Sequence, residues 1–487
     1  MLFRHSLVYF IAKGVPGIIS FCSIYLYTRL LLPEQYGTFS IVLATAGLLN
    51  SIMFQWIRVS LLRFFPQFKE ERHQLLSTTF TAFCSMAAVT GVIFWAMSVL
   101  NKAPVGGSAY YLLAFFVTIS TAWFELNLEV LRAQLSPKVY GFISLSKAVL
   151  TLLISVSLIK LELGAVSLML GLILGNIFPV LFISKRAWGT VKKHNFNTEI
   201  LLQSLRYGLP LTATFTLTFV MYSSSRFLLS YLGDHTHTAT GIYSVTYDFA
   251  QNTLILLMMI INVAAYPIIL RALENDGEEA AKEKIKESVV LLLLVAVPAT
   301  VGLIALASNI VAVLFGSQYR TVARDILPWI AVVGFLQGFK VYYIDLAFQL
   351  GKCTKKQIWP VLISAGINIA LNWLLIPKQG IMGAVYSSII AYVISISISF
   401  IMSRKVFKLP FPFVDGMKIM LSAIFMYLVI IPFSNQSGIF MLLLQVSIGA
   451  VGYGIAIFFF NTGNSRSKLI SSIKQKRVYH KRSSNSV

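Results

Sequence analysis

A chain of 487 residues that is 57% hydrophobic and only 12% charged, with a mean hydropathy of +0.77, is too apolar for a soluble globular protein, in which about a quarter of residues are charged. A formal charge of +22 would suggest a nucleic-acid partner in a soluble chain, but in a membrane chain placement matters more than the sum, and no nucleic acid is expected. Three widely spaced cysteines, Cys22, Cys84 and Cys353, exclude a disulfide framework and read as small buried hydrophobes.

The chain opens with Arg4 and His5 ahead of an apolar segment interrupted by Lys13, Gly14 and Pro16. No small-residue cleavage site follows a short apolar stretch, so the first span is expected to remain in the mature protein. Apolar windows of about 19 residues give about 14 spans, at 9–28, 38–62, 76–100, 110–131, 139–159, 163–183, 207–231, 241–264, 289–314, 326–350, 358–376, 381–402, 414–433 and 438–460. The reading is an all-α polytopic membrane protein.

Lys and Arg test this topology. One side of the alternation holds about thirty of them, including Arg63, Arg132, Lys185, Arg271, Lys352, Arg404 and the tail, against Arg29, Lys102, Lys160, Arg320, Arg324 and Lys378 on the other. Positive charge favours the cytoplasm, so both termini are expected there. The hydrophilic loops 185–205 and 271–288 fall on the same side; Asp276–Ser288 mixes acids and lysines at helical spacing and reads as a solvated amphipathic helix. The basic, serine-rich tail, 465–487, suits anionic headgroups.

The first and seventh spans begin alike, with Gly14-Val15-Pro16 and Gly208-Leu209-Pro210. Each is followed by a matching segment, Gly37-Thr38-Phe39-Ser40 or Gly241-Ile242-Tyr243-Ser244, and then by Pro66 or Pro267. Landmarks in the same order suggest an internal repeat, and an even number of intervening spans keeps the copies parallel. The expected organisation is an N-lobe at 1–184 (helices 1–6), a linker at 185–205, a C-lobe at 206–402 (helices 7–12), two added helices at 403–464 and the tail, with substrate between the lobes.

The stretch Gly351–Ser403 reads as a helical hairpin. Lys352, Lys355 and Lys356 lead into an apolar run, a turn is expected at Pro377-Lys378-Gln379-Gly380, and a second run rich in small residues follows. Asn368 and Asn372 share one helix face, which lipid cannot satisfy. The order Gly-Lys, Asn-x-x-x-Asn, Ile-Pro-x-x-Gly-Ile-x-Gly-Ala resembles the signature hairpin of bacterial polysaccharide flippases of the multidrug/oligosaccharidyl-lipid/polysaccharide exporter superfamily. Arg29-x-x-x-Pro33-x-x-Tyr36-Gly37 and the Gly-x-Tyr-Ser segment at 241–244 look like the same family. Relatives often carry an acid beside the basic residue late in the seventh span; here Ser223-Ser224-Ser225 precede Arg226, so a coupling role for such an acid is not carried over.

No nucleotide-binding loop, metal-spaced cluster or catalytic constellation is readable, so neither an enzyme nor a cofactor is expected. Ionisable residues inside the spans are the informative ones, because charge at bilayer depth marks a cavity or pathway by default. Arg58, Lys147, Arg226 and Lys340 are candidate cavity cations, with Asp248 and Asp345 as their charge partners. Arg58 and Arg226 are also close enough to helix ends to snorkel. Glu129 and Arg132 read as a local pair. Asn368, Asn372, Ser223 and Tyr222 could hydrogen-bond sugar hydroxyls, and Gly14 and Pro16 permit a bend in the first span that would gate a lipid tail.

A net-cationic cavity suits an anionic substrate. The resemblance implies a polyprenyl-diphosphate-linked oligosaccharide repeat unit, flipped from the inner to the outer leaflet of the bacterial cytoplasmic membrane for surface polysaccharide such as O-antigen. Membrane lipids and other polysaccharide-assembly proteins are the implied partners. The alternatives are a lipid-linked peptidoglycan-precursor flippase, a multidrug cation antiporter and, less fittingly, a membrane glycosyltransferase or polymerase, whose catalytic outer loops are not evident here.

Overall fold

The computed structural model describes residues 2–68, 70–100, 108–134, 136–188, 195–233, 237–434 and 436–462, and these are helices joined by turns and short loops. The first helices are α1 (Leu2–Leu30), α2 (Pro33–Phe64), α3 (Arg72–Val99), α4 (Ser108–Ala133), α5 (Pro137–Ile159) and α6 (Ala165–Trp188). Then come α7 (Thr198–Leu232), α8 (Thr238–Asn275), α9 (Glu278–Ala305), α10 (Ala307–Leu314), α11 (Ser317–Phe339) and α12 (Leu346–Leu350). The chain ends with α13 (Ile358–Gln379), α14 (Ile381–Ser403), α15 (Phe413–Ile430) and α16 (Ile439–Phe459). The basic tail lies outside the described residues.

Among the described residues, 12 helical stretches are long and apolar enough to cross a membrane, which makes the chain a multi-pass all-α membrane protein. Two more helices, α1 and α7, run for 29 and 35 residues, well beyond the roughly 20 needed for a span. Helix α7 holds a serine run and Arg226 within its length.

Helix ends follow local chemistry. Pro33 occupies the first turn of α2, where its missing N–H costs nothing, and the Gln35 side chain accepts from the Leu32 amide at 3.1 Å. Asn197 caps α7 by accepting from the amides of Glu199 and Ile200. The hairpin turn is tighter than its sequence implied. Helix α13 continues through Pro377 to Gln379, and Gly380 alone, at φ 55°, reverses the chain; this left-handed conformation suits glycine. The amphipathic stretch after Asp276 is no separate element. From Glu278 it is the start of α9, laced by Lys282 to Glu278 and Glu279 and by Lys284 to Glu287 at 2.7–3.0 Å. Cys22 and Cys84 are exposed on their helices, contrary to the expected burial, since a span offers an apolar outer surface on which a thiol costs little.

The chain forms two compact units. The first comprises Met1–Asn252, Phe315–Ile326 and Thr354–Ile398. In it α7 packs along α2 and α13, α4 along α2 and α6, and α5 against α1 and α6. One of its core clusters is aromatic: Phe54, Phe83, Trp123 and Trp188 pack with tilted rings, and Trp188 donates from Nε1 to Asn127 Oδ1 at 2.8 Å. The second unit comprises Thr253–Leu314, Leu327–Cys353 and Ser399–Val487, with α15 packed on α9 and α16. There Asn309 donates to Gln445 Oε1 at 2.7 Å.

The two sequence segments that matched as repeats meet inside the first unit. A Cβ on Gly37 would sit 2.0 Å from the His237 carbonyl oxygen, and one on Gly241 would sit 1.9 Å from that of Pro33. Ser40 donates to Ser244 Oγ at 2.6 Å on the same crossing. Helices α2 and α8 therefore touch backbone to backbone through equivalent residues, an approach only glycine allows.

Candidate functional site

The polar interior of the first unit is built where α7 passes α2, α8 and α13. Arg226, in α7, is 3% exposed and pairs with Asp248 of α8. Tyr222, one turn before Arg226, accepts from Arg226 Nη2 at 3.1 Å and donates to Asp248 Oδ1 at 3.1 Å. The guanidinium carbon lies 5.0 Å from the centre of the Tyr222 ring and 5.7 Å from that of Tyr247, and Tyr247 stacks in turn near Tyr243. An arginine inside the membrane thus has a carboxylate, a hydroxyl and two π-faces around it. It does not snorkel.

On the α13 side two of the three serines meet the two asparagines. Ser224 donates to Asn368 Oδ1 at 2.7 Å, and Ser225 donates to Asn372 Oδ1 at 3.3 Å. Asn372 Nδ2 reaches the Asn368 side-chain oxygen at 2.9 Å, and Ser388 lies 3.4 Å from Ser225. Both amides are buried, as their shared helix face requires. Asn368 Nδ2, Ser223 Oγ and Arg226 Nε are buried without a hydrogen-bond partner among the described residues. Unsatisfied donors at this depth cost about 1–3 kcal/mol each, and a cluster of them suits a polar ligand or water. Next to Ser224 an apolar recess of about 210 Å³ is lined by Leu48, Phe219, Val220, Phe227, Leu228 and Ile369.

A second pair lies where α2 meets α4. Arg58 is 9% exposed and pairs with Glu125; it also bonds Gln55, and Asn50 donates to Glu125 Oε2 at 2.9 Å. Glu125 is the partner that sequence reasoning missed, although an acid inside an apolar window was itself the signal. Arg58 does not snorkel either. Glu129 and Arg132 form the expected local contact at 3.6 Å. Lys147, in α5, places its ammonium 4.4 Å from the Phe124 ring centre and makes no ion pair among the described residues. The excess of positive charge that the sequence suggested is thereby largely neutralised, and Lys147 is what remains of it.

Lys340 and Asp345 belong to the second unit. Lys340–Ile344 form a single π-helical turn, and Lys340 Nζ donates to Asp345 Oδ2 at 2.6 Å with both side chains almost fully buried. Of the two acids the sequence offered to Lys340, the structure uses Asp345, while Asp248 goes to Arg226. Gly14 and Pro16 lie within the unbroken helix α1, where Ser20 Oγ bonds the Pro16 carbonyl at 3.0 Å.

A family model described as "Polysaccharide biosynthesis protein" matches residues 26–324. Among curated proteins there is no match. Solved structures similar in fold include a lipid II flippase MurJ in an inward closed conformation, with a TM-score of 0.76 at 17% identity over 93% of this chain and 99% of that one. A MOP superfamily transporter from Pyrococcus furiosus aligns with a TM-score of 0.59 at 14% identity, over 82% of this chain and 94% of that one. An outward-facing multidrug resistance MATE family transporter gives 0.55 at 16% identity, with the same coverage of 82% and 94%.

Proposed function

The chain belongs to the polysaccharide biosynthesis protein family matched over residues 26–324, and from that premise we propose that it is a secondary transporter that flips a polyprenyl-diphosphate-linked oligosaccharide repeat unit across the bacterial cytoplasmic membrane. The observation that carries this reading is the Arg226–Asp248–Tyr222 cluster with its unsatisfied neighbours, Asn368 Nδ2 and Ser223 Oγ. A buried guanidinium held by a carboxylate can exchange that partner for a phosphate oxygen, because both accept the same forked donors. The buried amides and hydroxyls then serve sugar hydroxyls, and the adjoining apolar recess accepts the start of a lipid chain. Lys147 supplies positive charge that no carboxylate among the described residues cancels, and Arg58, released from Glu125, is a second phosphate donor.

The topology that fits is about 14 spans with both termini in the cytoplasm, as the distribution of Lys and Arg favours. In this scheme the lobes at 1–184 and 206–402 alternate access, the α2–α8 crossing is the contact that parts, and bending of α1 at Gly14–Pro16 during the cycle lets the lipid tail remain in the bilayer. Lys340 and Asp345 form their own buried pair in the second unit and hold that helix together in this scheme. Close fold similarity to a lipid II flippase favours a lipid-linked peptidoglycan precursor as the second reading. A cation antiporter fits less well, since the carboxylates of the interior are already engaged by arginines and lysine.

Proteoliposomes loaded with labelled polyprenyl-diphosphate oligosaccharide test this directly, alongside lipid II and an organic cation. Translocation of the oligosaccharide that is lost in Arg226→Gln supports the reading. Movement of lipid II alone moves the assignment to the second reading, and gradient-driven efflux of the cation alone refutes both.

A further inference from the structure

The functional reading leaves one built feature unused, a polar recess of about 300 Å³ where the end of α1 meets the start of α11. It is lined by Thr28, Arg29, Leu32, Gly316, Gln318 and Arg320 among others. From this recess we infer that the protein holds a phosphate group borne by a lipid, at the face opposite the one rich in Lys and Arg. The inference rests on the proposed topology for its sidedness, and on the geometry alone for its chemistry.

Three ties make the recess rigid. The Gly316 amide donates to Thr28 Oγ1 at 3.0 Å, and the buried Tyr319 donates from its hydroxyl to the Leu31 carbonyl at 3.2 Å. The backbones touch so closely that a Cβ on Gly316 would lie 1.8 Å from the Thr28 carbonyl oxygen. The two arginines are held in place around this clip. Arg29 stacks on Tyr25, its guanidinium carbon 3.7 Å from the ring centre, and donates from Nη1 to the Tyr25 carbonyl. Arg320 donates from Nε to the Phe315 carbonyl at 3.0 Å, and its two Nη groups have no hydrogen-bond partner among the described residues. Two guanidinium groups fixed at the rim of a polar recess match the forked oxygens of a phosphate, which lysine would not match as well.

The surroundings say that the phosphate is attached to a lipid. Tyr25, Leu30 and Leu32 beside Arg29 are each 40–47% exposed, so apolar surface lies against the cationic rim. An arginine stacked on a tyrosine, with exposed leucines next in the chain, is the arrangement of a membrane–water boundary, where headgroup and acyl region meet. Two sources present this chemistry there: the diphosphate of a newly flipped polyprenyl lipid, and the headgroup of an anionic phospholipid of the bilayer.

The test is equilibrium lipid binding by native mass spectrometry on the full-length protein in detergent. Dioleoyl phosphatidylglycerol, dioleoyl phosphatidylcholine and a polyprenyl diphosphate are the probes. Wild type is expected to retain a net-anionic phosphate probe that the Arg29→Gln/Arg320→Gln double variant binds at least about tenfold more weakly, with Arg320→Lys in between and phosphatidylcholine, whose phosphate charge is offset and shielded by its choline, indifferent. Arg404→Gln/Lys408→Gln, which removes two cations elsewhere, should bind as wild type does. Loss of the diphosphate alone names the flipped lipid as occupant, loss of phosphatidylglycerol alone names the bilayer, and loss of both shows a general phosphate site. Equal retention of every probe by wild type and double variant overturns the inference. Both arginines are exposed, so a melting temperature matching wild type is expected and confirms that the comparison is between folded proteins. Binding needs no translocation, so Arg-dependent binding in a protein that flips nothing would refute the proposed function and leave this site standing.

Discussion

Two buried ion pairs of this molecule join the same kinds of charge and differ in construction. Arg226 and Asp248 sit on different helices, with tyrosines around them and the carboxylate side chain still 22% exposed. Lys340 and Asp345 sit five residues apart on one helix, brought together by a π-turn, and their side chains are 4% and 2% exposed. A pair shared between helices can be opened when those helices move, and its carboxylate can be displaced by a ligand. A pair closed within one turn follows its helix rigidly, and water reaches neither member. The first therefore has the construction expected of the proposed site and the second that of a fixed structural element, even though π-turns recur at functional positions.

Breaking each pair should separate these roles. The largest effect is expected from Asp345→Leu, which strands the Lys340 ammonium in a dry interior at a cost of about 3–5 kcal/mol. Membrane abundance and melting temperature should both fall. The double change Lys340→Met/Asp345→Leu should recover that loss, since an apolar pair of similar size is often neutral or better; failure to recover would mean that the pair has a role beyond stability. Next comes Arg226→Gln. Folding should be nearly preserved, because Tyr222 and partial solvation still serve Asp248, while translocation falls about 30-fold or more. A matching loss of stability would place this pair with the other one.

Asn372→Leu should follow, costing about 1–3 kcal/mol by removing the buried amide that bonds Ser225 and Asn368, as read by thermal unfolding. Ser40→Ala at the α2–α8 crossing is the mildest, at about 0.5–1.5 kcal/mol for one net hydrogen bond. Gly37→Ala at the same crossing should cost more than Ser40→Ala, because its methyl group has no room.

Most of the architecture was legible because membrane spans announce themselves by length and apolarity. Cations at depth were legible for the same reason: Arg58, Arg226 and Lys340 stand out against their windows. Their partners were harder. Asp345 lies near Lys340 in sequence, whereas Glu125 and Asp248 reach their arginines only through the packing of α2 on α4 and of α7 with α8, which periodicity does not encode. The matched Gly-x-x-Ser segments suggested a repeat, but that Gly37 and Gly241 face each other across one contact could come only from coordinates. Pro377 misled because a proline in the last turn of a helix loses one hydrogen bond without ending the helix. Exposed cysteines misled because the outer surface of a span is as apolar as a core.

The most direct test of the account uses the crossing that must part if access alternates. In a background lacking Cys22, Cys84 and Cys353, Ser40→Cys/Ser244→Cys replaces hydroxyls 2.6 Å apart, where a disulfide has a geometry it can adopt. Translocation of labelled polyprenyl-diphosphate oligosaccharide would then be followed in proteoliposomes before oxidation, after it and after reduction. The account predicts transport when the thiols are free, none when they are joined and recovery when they are freed again. Undiminished transport through the oxidised protein would contradict it.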